Sequence, residues 1–158
     1  MAPPSSAPAG TPRQSTCVAI GGRGVLIEGA SGTGKSSLAL ALIDRGAVLV
    51  GDDSVMVSVT ERQLIASPHP RTHGLLEVRN LGLLRFPVSA PVAIDLVIRL
   101  DPNAERFIEE AGWIELAGVS LPLVSLWPDS PVLAIKAELA LARFGLPLDG
   151  AAEQCSAP

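Results

Sequence analysis

Gly29-Ala30-Ser31-Gly32-Thr33-Gly34-Lys35-Ser36 fits the pattern G-x-x-x-x-G-K-[ST] in full. Each residue type in that run has a reason. Glycines let consecutive backbone N–H groups turn inward around a phosphate, and a helix starting at Ser36-Ser37 would add its N-terminal dipole. Lys35 places a cation against the outer phosphates, and the Ser36 hydroxyl is a hard-oxygen ligand for Mg²⁺. The spacing therefore predicts a nucleotide-phosphate site over residues 29–37. A second candidate follows at Asp52-Asp53. Two carboxylates beside a phosphate site can hold Mg²⁺ or accept a hydroxyl proton. Adjacent residues at a strand end point to opposite sides, so one of the pair is expected to face the nucleotide.

These residues need elements to hold them. Residues 24–28 (GVLIE) read as a short apolar strand leading into the glycine-rich turn. Residues 36–45 read as a helix with Leu38, Leu42 and Ile43 on its apolar stripe and Gly46 as its stop. Residues 47–50 form a buried strand that delivers Asp52 and Asp53. A hairpin is expected over 55–66, and further strands over 75–78, 83–86, 93–100, 114–116 and 119–123. The last element is a helix with Ser130 as N-cap and Pro131 at its first position. Val132, Ile135, Leu139 and Ala142 fall on one face, which predicts that face as the buried one. Many short strands with helices only near the ends predict an α/β domain with a mixed sheet rather than a regular βαβ repeat.

The chain has 158 residues, enough for one domain. At 47% hydrophobic and 18% charged, it is too apolar to be disordered throughout. Residues 1–15 and 146–158, rich in Ala, Pro, Ser and Gly, are expected to be loose tails around a catalytic domain at 16–145. Twelve basic against sixteen acidic residues give a net charge of −4, which argues against a nucleic-acid or anionic-membrane surface. No apolar segment approaches the roughly 18–20 residues needed to span a bilayer, and the N-terminus lacks the features of a secretory signal. Cys17 and Cys155 have neither metal-ligand spacing nor a disulfide framework. A cytoplasmic protein is expected. His69 and His73 read as solvated loop residues, Arg23 and Arg71 as surface or phosphate-site residues, and Trp113 and Trp127 as core or subunit-interface residues.

The run GVLIEGASGTGKSSLALALIDRGAVLVGDD is similar to the core of the HPr kinase/phosphorylase family, in which a P-loop helix leads through Arg-Gly into a strand ending in Asp-Asp. The block Leu76-Glu77-Val78-Arg79-Asn80-Leu81-Gly82 resembles that family's Leu-Glu-Ile-Arg-Gly-Leu-Gly signature. The resemblance covers residues 14–86 well and is weaker from 87 to 145. It matches the family's catalytic C-terminal domain alone, as in short proteobacterial forms. It implies a phosphoenolpyruvate carboxykinase-like P-loop domain and a serine kinase that uses ATP and Mg²⁺ on HPr, the small carrier of the phosphotransferase system. By the resemblance, Lys35 binds the β- and γ-phosphates, while Ser36 and Glu77 bind Mg²⁺. Asp53 is the base that takes the serine hydroxyl proton, supported by Asp52. Arg79 stabilises phosphoryl charge, Arg106 matches an arginine of similar role, and the chain assembles as a homo-oligomer, a hexamer in the family.

The departures bear on the reverse reaction. Gln14 stands at the family's catalytic histidine position, and an amide cannot transfer a proton as imidazole does. Asn80 replaces the first Gly of the signature. Pro128-Asp129-Ser130-Pro131 replaces the family's Pro-Gly-Arg-Asn loop and lacks its arginine. Weak or absent phosphorylase activity is therefore expected. Two other readings stay open: a small-molecule P-loop kinase or NTPase, and a nucleotide-binding regulator that has lost catalysis.

Overall fold

The computed structural model describes residues 10–147. Strand β3 (Arg23–Gly29) is the apolar strand expected before the glycine-rich turn, one residue longer at each end. It lies at the centre of a nine-stranded sheet ordered β1-β5-β6-β9-β3-β2-β4. Its other members include β1 (Thr11–Arg13), β2 (Thr16–Ile20), β4 (Val48–Gly51), β5 (Val55–Thr60) and β6 (Gln63–Pro68). Strand β9 (Val92–Leu100) pairs in parallel with β3 along one side. Its other side is shared: β6 takes the start, antiparallel at Val92 and Ala93, and β11 (Val119–Leu126) takes the end, in parallel. Strand β10 (Gly112–Leu116) hairpins onto β11, and β7 (Leu75–Val78) with β8 (Gly82–Arg85) forms a separate two-stranded ribbon. Few helices and a mixed sheet make this an α/β fold, as the order of elements predicts.

Alternation along the central strands builds two cores. Val25 and Ile27 of β3 face the helices α1 (Lys35–Asp44) and α2 (Leu133–Phe144), together with Leu96 and Ile98 of β9. Leu26 and Val97 face the other way, onto Val55, Leu64 and Leu121. Cys17 lies in this second core. It is free and fully buried, and burial raises its thiol far above the ordinary range, so it is not a reactive group. Cys155 lies outside the described residues.

Four expectations need correction. Thr11–Arg13, assigned to a loose tail, pairs antiparallel with Val55–Val57 of β5. The strand β2 was not expected at all. Leu146, placed at the start of the second tail, donates its N–H to the Asp95 carbonyl at 2.9 Å. Helix α2 buries Leu133, Ala137, Ala140 and Leu141, not the face predicted. Val132, Ile135 and Leu139 are 44%, 41% and 62% exposed. The helix carries two apolar faces, and the alanine-rich one packs because small side chains let its backbone approach α1 and the sheet. Ser130 does accept a hydrogen bond from the Val132 N–H, at 3.3 Å, but regular helix begins only at Leu133.

Among the described residues, the tryptophans are not core either. Trp113 and Trp127 are 63% and 42% exposed, although Trp127 Nε1 donates to the Ala104 carbonyl at 2.6 Å. Arg23 sits at the start of β3, at the opposite end from the glycine-rich turn. It donates to Asp95 at 2.8 Å and to the Leu146 carbonyl at 2.5 Å, and so ties the end of the described chain to β9. No described helix is long and apolar enough to cross a membrane.

Candidate active site

The glycine-rich turn follows β3 directly and ends at Gly34, whose φ of 101° opens α1. No side chain caps that helix, so its first N–H groups remain available to an anion. Gly29 is required on two counts. Its φ is 151°, and a Cβ there would lie 2.7 Å from Thr33 Oγ1 and 3.1 Å from the Leu100 carbonyl oxygen. Lys35 folds back over the loop, its Nζ donating to the Gly29 and Ala30 carbonyls at 2.9 and 3.1 Å. The helix then stops where Gly46 predicts, with the Arg45 and Gly46 N–H groups donating to Leu42 and Ile43.

A cavity of about 590 Å³ opens over this turn. Its lining takes in residues 31–37 of the loop and helix, Asp52 and Asp53 from the end of β4, and Glu77 and Arg79 from the β7–β8 ribbon. The wall is closed by the segment Pro128–Pro131 and the start of α2. Residues separated in sequence by more than a hundred positions thus meet around one space.

Asp52 is the hub. Its Oδ1 accepts from Ser36 Oγ at 2.7 Å and from Thr16 Oγ1 at 3.0 Å, while its Oδ2 accepts from the Glu77 N–H at 3.1 Å. Asp53 differs in kind. Its side chain is exposed, and its backbone is left-handed at φ 63°. Its N–H donates to Thr16 Oγ1 at 3.2 Å. One carboxylate braces the loop, the helix and the ribbon, and the other stands free in the cavity; both lie beyond the end of β4, so the left-handed backbone at Asp53 rather than strand alternation separates them.

Electrostatics suit a divalent cation brought in with phosphates. Two cationic side chains, Lys35 and Arg79, face four carboxylates from Asp52, Asp53, Glu77 and Asp129. Yet no cluster of three or more His, Cys, Asp or Glu able to hold a metal exists among the described residues. Mg²⁺ characteristically takes one or two carboxylates and completes its shell with water and substrate phosphates. Ser36, whose proton is directed to Asp52, and Glu77 fit that partial shell. Histidines play no part in it: His69 and His73 do not line the cavity, and neither does Arg71.

Two expected residues are not brought to the cavity. Arg106 is exposed on the connection between β9 and β10 and is absent from the lining. Gln14 borders a different cavity, of about 690 Å³, between β1, β5 and the β10–β11 turn. Thr16 was missed. The run Thr16-Cys17-Val18-Ala19-Ile20 followed by Gly21-Gly22 carried the signal of a hairpin strand, but nothing local pointed its first side chain at Asp52.

Comparison with known proteins places these features in a family. Residues 9–124 match the family model described as HPr serine kinase C-terminal domain. The HPr kinase/phosphorylase of Caldicellulosiruptor bescii is 36% identical over 123 residues, covering 70% of this chain and 40% of that protein. That of Cupriavidus necator is 36% identical over 117 residues, 66% of this chain and 36% of its own length. The chain therefore spans well under half of these curated relatives. Among solved structures, the Hpr(Ser) kinase/phosphatase from Coxiella burnetii superposes with a TM-score of 0.73 at 26% identity, covering 84% of this chain and 94% of that one.

Proposed function

Since the chain belongs to the HPr serine kinase C-terminal domain family, we propose that it is a cytoplasmic, homo-oligomeric kinase that transfers the γ-phosphoryl group of Mg-ATP to a serine of HPr or an HPr-like phosphocarrier. The observation that carries this reading is the meeting, in one cavity, of the P-loop with an unencumbered Asp53 and the Glu77-x-Arg79 ribbon. A generic nucleotide-binding turn would need only the first of these.

Each residue then has a task. Lys35 leaves the Gly29 and Ala30 carbonyls for the phosphates, and the N–H groups at the start of α1 hold the same oxygens. A Mg²⁺ ion bound by Ser36 and Glu77 would neutralise charge on the phosphates. Asp52 keeps the Ser36 hydroxyl oriented. Asp53 accepts the proton of the serine hydroxyl as the serine oxygen attacks the γ-phosphorus and the bond to the β-phosphate oxygen breaks, releasing ADP, and Arg79 balances the charge of the transferring group. Incubation with γ-labelled ATP and candidate HPr-type proteins tests the proposal: label on a protein serine is the expected result. Label on small metabolites, or saturable ATP binding without turnover, would replace it with one of the other two readings.

Glu77→Gln is expected to raise the Mg²⁺ concentration for half-maximal activity by roughly tenfold or more, the scale of losing a group that supports a metal. A metal-activation curve identical to wild type would remove Glu77 from the metal site. The reverse reaction is expected to be weak or absent. Phosphorolysis brings inorganic phosphate beside a phosphoserine, so cationic groups matter more than in the forward direction. Here the segment 128–131 contributes Asp129 to the cavity wall and no arginine. Pyrophosphate release from serine-phosphorylated HPr at a rate comparable to the forward reaction would refute this.

A further inference from the structure

Thr16 is a fully buried polar residue and the first residue of strand β2. Its hydroxyl has one proton and two lone pairs, and the geometry uses both functions. The proton goes to Asp52 Oδ1 at 3.0 Å, and a lone pair accepts the Asp53 N–H at 3.2 Å. One oxygen atom thus grips the side chain of the first aspartate and the backbone of the second. Asp53 holds a left-handed backbone at φ 63°, a region uncommon for residues other than glycine, though Asp enters it more readily than most. It is that backbone which aims the Asp53 carboxylate into the cavity while Asp52 turns the other way onto Ser36. A strand residue with an apolar side chain would fit the same space and could satisfy neither group.

Resting on the kinase reading above, we propose that Thr16 is a positioning residue for phosphoryl transfer. Its hydroxyl clamps the two aspartates into divided roles, one bracing Ser36 and the other free to take a proton. It acts through them, from a fully buried position in the wall of the cavity. Removing the hydroxyl leaves the Asp53 N–H without its partner, lets residue 53 relax, and takes one of two donors from Asp52 Oδ1.

The test compares Thr16→Val, which keeps a β-branched strand residue, with Thr16→Ser, which keeps the hydroxyl. For Thr16→Val the expected results are ATP affinity by calorimetry within about threefold of wild type and kcat lower by about 10²-fold, the scale for misplacing a reacting group by an ångström. Thr16→Ser should recover most of that kcat. A structural role alone would not separate kcat from affinity, nor distinguish the two variants in this order. Hydrogen exchange at the Asp53 amide, followed by NMR, should accelerate in Thr16→Val and not in Thr16→Ser, a readout that needs no turnover. Wild-type kcat in Thr16→Val, or a folded Thr16→Ser as slow as Thr16→Val, would overturn the clamp. A wild-type protein that labels no serine would overturn the kinase reading instead, and unchanged Asp53 exchange in Thr16→Val would still overturn the clamp independently.

Discussion

Asp53→Asn is expected to bind ATP as wild type does and to transfer the phosphoryl group about 10²-fold or more slowly, the usual scale for losing a general base. The substitution is a clean one at this position. Asn tolerates the left-handed backbone as well as Asp does, so the φ of 63° at residue 53 survives. The Asp53 carboxylate takes part in no hydrogen bond within the described residues, whereas its N–H, bound to Thr16, is unaltered. What disappears is one proton acceptor facing the cavity. Asp52→Asn should fail differently. An amide cannot accept from all three of Ser36, Thr16 and the Glu77 N–H, so Mg²⁺ dependence and thermal stability should change along with rate. Calorimetry and single-turnover rates on both variants separate the roles. An Asp53→Asn enzyme with wild-type kcat, beside an Asp52→Asn enzyme that binds Mg-ATP normally but transfers nothing, would assign the base to Asp52.

Lys35→Ala should lose nucleotide affinity and turnover together. A charge-assisted contact to phosphate is worth about 1.5–3 kcal/mol, which is roughly a 10- to 150-fold weaker Kd. Transfer should fall further, because charge on the phosphoryl oxygens is what this cation balances in the transition state. The fold should persist, since among the described residues the Lys35 ammonium makes two hydrogen bonds, both to carbonyls of its own loop. Circular dichroism verifies folding and calorimetry reads affinity. Unchanged ATP affinity in a folded Lys35→Ala protein would sink the phosphate-site assignment.

The legible part of this site is the part that is continuous in sequence. The strand β3, the loop at 29–34 and helix α1 are one uninterrupted stretch, and β4 delivers Asp52-Asp53 a few residues later. Local rules suffice there: apolar alternation makes the strand, glycine permits the turn, and Gly46 stops the helix. Glu77 and Arg79 were reached through a resemblance rather than by spacing. Their ribbon joins the cavity through the Glu77 N–H on Asp52, a bond across 25 residues that no periodicity announces. Arg106, placed by the same resemblance on a weaker match, is not carried to the cavity, because the connection between β9 and β10 runs along an exposed edge.

Helix α2 marks another limit. Its sequence offers two apolar faces, and hydrophobic spacing by itself cannot say which one meets the sheet. The decision is made by shape: Ala137 and Ala140 allow close approach, and the larger Ile135 and Leu139 are left outward. Thr16 is the sharpest case. Its hydroxyl meets Asp52 and Asp53 across 36 and 37 residues, only because β2 lies between β3 and β4 in the sheet. By itself, the sequence determined the glycine-rich turn and the strand and helix that flank it, since those follow from neighbours along the chain. The different surroundings of Asp52 and Asp53, and the Thr16 hydroxyl that contacts both, were decided only by tertiary structure. Strand order, which brings distant side chains within hydrogen-bonding reach, is a property of the whole folded chain and of no local segment.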